Sequence, residues 1–138
     1  MAIEAEVTGN MLDSPTQKQV ETANGPKRIT QFRMMSDVWR DGEDGPYQDE
    51  SRSKPVAVTI WNERLGDSVM QLYRKGMRML VVGDLHLHVY VPSDEDQNAG
   101  KNAYYELRCD AAKVALLPNR VERIEMRARQ QQAEGSAA

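Results

Sequence analysis

The chain has 138 residues, of which 40% are hydrophobic and 28% charged, with a formal net charge of −3. That length suits one domain with a tail, large enough to bury a core without metal or disulfides. The composition excludes a membrane span, since no run approaches roughly 18 apolar residues, and the opening MAIEAEV lacks the basic start and apolar run of a signal peptide.

The single cysteine, Cys109, has no intramolecular partner and lies in an apolar alternating run. A buried, reduced thiol in a soluble cytoplasmic protein is expected. The acids are unevenly spread. Residues 41–50 hold five and residues 94–96 three more. Setting those eight aside turns the net charge of −3 into +5 for the rest of the chain. Both acidic runs sit in turn-rich stretches, so a mildly basic framework carries two acidic loops, compatible with a polyanionic partner.

Taken in chain order, residues 3–8 alternate with Ile3, Ala5 and Val7 inward, and Gly9-Asn10 reads as a turn. Residues 11–28 are polar and read as a long connection or a weak hairpin extension. A second strand over 29–36 turns Phe32 and Met34 inward and Gln31, Arg33 and Met35 outward. A polar loop spans 40–55. A third strand, 56–61, places Val56, Val58 and Ile60 on one face and Ala57, Thr59 and Trp61 on the other. A helix over 62–75 has the stripe Leu65, Val69, Leu72, with Arg74 and Lys75 in its last turn and Gly76 as a left-handed stop.

A fourth strand runs from Met77 to about Val91, with a bend or bulge at Gly83. Met77 and Met79 read as core or interface. Past Gly83 the strand points Leu85, Leu87, Val89 and Val91 inward and Asp84, His86, His88 and Tyr90 outward. A loop over 92–102 leads to a fifth strand, 103–109, with Tyr105, Leu107 and Cys109 inward. A short apolar piece from Val114 ends at Pro118, and residues 119–138 read as a tail with a short helix followed by disorder. The fold class is all-β. Five strands with one helix between the third and fourth are the pattern of an OB-fold, a Greek-key barrel whose ligand face lies on the second and third strands.

The outward faces carry the candidate chemistry. Trp61 and Tyr90 lie on non-core sides and Trp39 ends the second strand at the mouth of the long loop, near Arg33, Arg64, Arg74, Lys75 and Arg78. Rings interleaved with cations suit single-stranded nucleic acid, whose bases stack at about 1–3 kcal/mol each while phosphates find the cations. The same pattern also fits a protein interface or a small-ligand site. His86 and His88 share a face, but two ligands on a flat strand do not make a metal site. No metal, cofactor or catalytic constellation is expected, as nucleophile-elbow, phosphate-loop and zinc spacings are missing from the sequence.

Several short stretches are similar, in order, to those of the bacterial single-stranded DNA-binding proteins: VTGN at 7–10, FRMMSDVWRDG at 32–42, IWNERL at 60–65 and LYRKGMRMLVVGDL at 72–85. The resemblance covers about residues 3–118. It implies an OB-fold domain that binds single-stranded DNA without sequence preference, as a homo-oligomer (tetramer or dimer), in replication, recombination, repair or transfer. It implies stacking by Trp39, Trp61 and Tyr90 and phosphate contacts by Arg64, Arg74 and Lys75. Arg33 and Arg78 would add to the phosphate contacts, on a face shared with His86 and His88.

The chain departs from that family at His86 and His88, where basic residues are usual, and at Pro55, where an aromatic is usual. With the acidic stretch 41–50, these departures imply a smaller footprint and a shallower salt dependence. The family's acidic, partner-recruiting tip has no counterpart in QQQAEGSAA. The rival expectation is an OB-fold subunit of a DNA-processing complex that binds protein rather than DNA, and RNA is not separable from DNA as a ligand.

Overall fold

The computed structural model describes residues 3–128. Eight strands and two helices follow in order: β1 (Ile3–Met11), β2 (Thr16–Thr22), β3 (Gly25–Ser36), β4 (Trp39–Gly42), β5 (Gly45–Gln48), β6 (Lys54–Ile60), α1 (Glu63–Leu72), β7 (Arg78–Tyr90), α2 (Asp94–Asn98) and β8 (Tyr104–Leu116). The main sheet is ordered β1-β7-β8-β6-β3-β2, and β1 also pairs with β3. Five strands therefore ring a core, antiparallel except for the β6–β8 pair. With α1 between β6 and β7, this is the expected OB-fold.

Alternation produces the core. Phe32 and Met34 of β3, Val56, Val58 and Ile60 of β6, Met79 and Val81 of β7 and Cys109 of β8 are all buried. Cys109 is a free thiol whose pKa is pushed up by that burial, which keeps it protonated and inert. Helix α1 starts at Asn62, whose side chain accepts from the Leu65 N–H at 2.9 Å. It buries Gly66 and Val69. At Gly66 a Cβ would come within 2.3 Å of the Thr30 hydroxyl, so the missing side chain lets the helix lie flat on β3.

Several expectations are corrected. Gly9-Asn10 is not a turn. β1 runs straight through it, paired with β7 on one side and with Met35 and Ser36 of β3 on the other. Ile3, expected inward, projects beyond the core and is exposed. Residues 16–36 form a β2–β3 hairpin, the second of the two readings of the polar stretch 11–28. The loop over 40–55 contains the β4–β5 hairpin, and that over 92–102 contains α2. The helix ends at Leu72, so Arg74 and Lys75 lie outside it. Leu72 is exposed and Tyr73 packs against the core instead. Gly76 does take a left-handed φ of 92°, but in the turn beyond the helix.

The longest departure is in β7 and β8. The bulge falls at Val82/Gly83, where a Cβ on Gly83 would strike the Asp110 carbonyl at 2.1 Å. Beyond it the two strands run on as a paired arm to Tyr90↔Tyr104. The inward-alternating residues Leu87, Val89 and Tyr105 leave the core there and are exposed, as is Val91 just past the strand. At the other end, residues 121–128 have no helix. Among the described residues Ile124 and Met126 are exposed, and a short helix without packing is marginal in water. The remainder of the expected tail lies outside the described residues.

The close crossing at Gly9 is testable. A Cβ there would lie 1.7 Å from the Met35 carbonyl oxygen. Gly9→Ala is expected to lower stability by about 1–3 kcal/mol or more in urea unfolding, because backbone on both sides must move; a midpoint unchanged from wild type would show the crossing to be looser.

Candidate nucleic-acid interface

The outward face of the barrel wall follows from register. Gln31, Thr59, Asp110 and Asp84 lie side by side across β3, β6, β8 and β7, and Arg33, Ala57, Arg108 and His86 form the next row. These residues alternate with buried Phe32, Val58 and Cys109 and with Leu85, which packs on the core, so all point away from it. Trp61 follows the end of β6. Its indole Nε1–H donates to Asp110 Oδ1 at 3.0 Å, and the same carboxylate lies 4.0 Å from His86 Nδ1. Trp61, 41% exposed, is thereby fixed beside the two rows with its ring accessible.

At the far end of the arm, Tyr90 stacks on Tyr104 with ring centroids 4.9 Å apart and planes 27° from parallel. The Tyr90 hydroxyl donates to Asp96 Oδ2 at 3.0 Å, which raises its pKa. Asp96 is held in turn by α2, whose cap Ser93 accepts from the Asp96 N–H. His88 stands opposite Glu106, which pairs with Arg108 at 3.4 Å.

A second cluster surrounds Asp37. Its carboxylate accepts two bonds from Arg78, at 3.0 and 3.1 Å, and one from Trp39 Nε1–H at 2.9 Å. Burial alone would push this carboxyl up, but the donors outweigh it and hold the pKa below the usual range. Trp39 keeps its ring 54% exposed. Beyond it, Arg40 binds Asp49 at 2.6 Å across the β4–β5 hairpin. Hydrogen bonds from Arg40 and Ser51 lower Asp49 to about 2.

The remaining predicted cations are spread out. Arg33 is paired with Asp13 at 2.7 Å, and Lys75 lies near enough to help lower the Asp13 pKa after Arg33 itself. Arg74 donates to the Met70 and Tyr73 carbonyls at 3.4 and 3.2 Å. Arg64 is exposed on α1. The structure thus joins Trp61 to His86 beside the Arg33 row, and Trp39 to Arg78. Tyr90 and His88 lie farther along the arm.

Sequence reading missed Arg108, Tyr104 and Tyr47. The first two share the outward alternation of the fifth strand, which was legible in YYELRCD. Tyr47 faces Arg40 across the β4–β5 hairpin, inside the stretch whose polar composition predicts a loop. Among the described residues, no three His, Cys, Asp or Glu side chains are grouped as metal ligands.

The Asp49 contact has a pH signature. A carboxyl lowered from 3.8 to about 2 in the folded chain contributes stability above the unfolded value. That contribution fades as pH falls from about 3.8 through about 2. Hairpin amides of β4–β5 are expected to lose hydrogen-exchange protection in that window, and Asp49→Asn to remove the pH step; a step that persists in the variant would assign it elsewhere.

The fold is shared with proteins of related description. A small single-stranded DNA-binding protein from Streptomyces coelicolor superposes with a TM-score of 0.68 at 17% identity, covering 86% of this chain and 97% of that one. A Plasmodium falciparum SSB in complex with ssDNA gives 0.56 at 16% identity, covering 85% and 93%. A mitochondrial single-stranded DNA binding protein from S. cerevisiae gives 0.54 at 15%, covering 85% and 96%. No curated protein matches by sequence. The model of the single-strand binding protein family matches residues 4–117, and with that span of the chain accounted for, the protein belongs to this family.

Proposed function

We propose that the chain binds single-stranded DNA without sequence preference and without catalysis, keeping the strand unpaired during replication, recombination, repair or transfer. The observation that carries this reading is the pair of exposed tryptophans, each pinned at its N–H edge by a carboxylate. An edge-anchored indole leaves its faces free and loses little further freedom when a base stacks on it. Tyr90 adds a ring along the arm. Arg33, Arg64, Arg74 and Lys75 supply phosphate contacts at the surface, and His86 and His88 supply polar contacts between them. A duplex hides its base faces and gains nothing from such rings.

One barrel offers few such contacts, so a homo-oligomer, dimer or tetramer, gains by linking them. The family match and the described likenesses to single-stranded DNA-binding proteins support the same reading. The rival, a protein-binding subunit, draws on the apolar stripe of Leu87, Val89 and Tyr105 left exposed on the arm.

Titration with oligo-dT should quench tryptophan fluorescence, less so at raised salt and not at all with duplex. Trp61→Ala should weaken binding roughly tenfold while the protein stays folded and assembled. No quenching and no binding at low salt would move the assignment to the protein-binding subunit.

A further inference from the structure

Between the β3–β6 wall and the arm lies a groove of about 430 Å³, within the size range of ligand-holding clefts. Its apolar walls are Pro55 and Ala57 on one side and Leu87, Tyr105 and Leu107 on the other. Tyr105 follows the inward alternation of β8, yet it lies four residues beyond buried Cys109, where the arm has left the barrel. Its ring is 70% exposed, and Leu87 opposite Leu107 is 53% exposed. A large apolar surface open to water marks a contact site.

We propose that this groove is a further base-binding subsite, in which an unpaired nucleobase stacks on Tyr105 and packs against Pro55 and Leu87. The proposal rests on the single-strand reading above. Charge favours this occupant. Lys54 and Arg33 border the groove, and Lys54 makes none of the ion pairs found among the described residues. Glu106 also lines it, but its carboxylate is paired with Arg108. Continuity favours it as well. Arg33 and Ala57 belong both to the groove and to the outward row that leads through Arg108 to His86. A strand crossing that row toward the arm passes over the groove with its bases unpaired. Tyr105 thus provides, from β8, a ring across the groove from Pro55.

The test uses the full chain, with oligo-dT affinity read by anisotropy and assembly mass by sedimentation. Tyr105→Ala is expected to weaken binding by roughly fivefold or more, with mass and melting temperature unchanged, and Tyr105→Phe to bind as wild type. If Tyr105→Ala fails to fold, Tyr105→Leu is read the same way, since it keeps apolar bulk without a ring. Wild-type affinity in Tyr105→Ala alongside weakened binding in Trp61→Ala would overturn the subsite and leave the single-strand reading standing. A changed mass with unchanged affinity would assign the groove to a second copy of the chain. A wild-type protein that binds no oligo-dT at low salt would overturn both readings together.

Discussion

Ring closure at Gly9 is the constraint on which the rest depends. β1 meets β3 over only three residue pairs, from Gly9 to Met11, while it pairs with β7 along eight. At that crossing there is no room for a side chain. Closure at this end sets where Met11, Met34 and Met79 meet in the core. The other end stays open, so β7 and β8 can leave the barrel as a free pair. The Val82/Gly83 bulge bends that pair. The outward rows, the arm and the groove between them all follow from one tight end and one open end.

Electrostatics then decides which cations can reach a phosphate. Most arginines near the rings already have a carboxylate partner. Exposed pairs such as Arg33–Asp13 are worth little and exchange readily for another anion. Arg78 differs, because Asp37 is 4% exposed and has two arginine bonds and an indole bond to lose. Stripping a partner from a buried charge is costly. On the proposed function, Arg78 therefore serves to position Trp39, whereas Arg33 and Lys75 are the proposed phosphate contacts. The acidic hairpin is similarly less repulsive than its composition implies, since Asp49 is satisfied by Arg40.

The strand alternation was legible because burial on one face imposes a period of two. Phe32 and Met34, or Val56, Val58 and Ile60, declare their face within a few residues. The spacing of Leu65 and Val69 did the same for α1. Nothing local distinguishes Leu85, which packs on the core, from Leu87, which does not; among the described residues β1 pairs with β7 as far as Leu85 and no farther. Gly9-Asn10 resembles a turn for the same reason, since a glycine needed for a crossing looks like one needed for a bend. The Trp61–Asp110 bond spans 49 positions and leaves no sequence signature. The strand pattern supplied the candidate rings and the family resemblance matched them, but neither supplied their anchors.

Those anchors explain an apparent contradiction in the surface. Carboxylates weaken a face that binds phosphates, yet on the proposed face Asp37 and Asp110 stand directly next to the two tryptophans. Each accepts the indole N–H, and a charged acceptor makes a stronger bond than a neutral one. Asp37 also faces Arg78, so much of its field is offset locally. A ring fixed this way has its orientation set before a base arrives. Long-range attraction is traded for short-range order. That trade suits a chain whose net charge is −3 and whose proposed hold on a polyanion rests on stacking more than on charge.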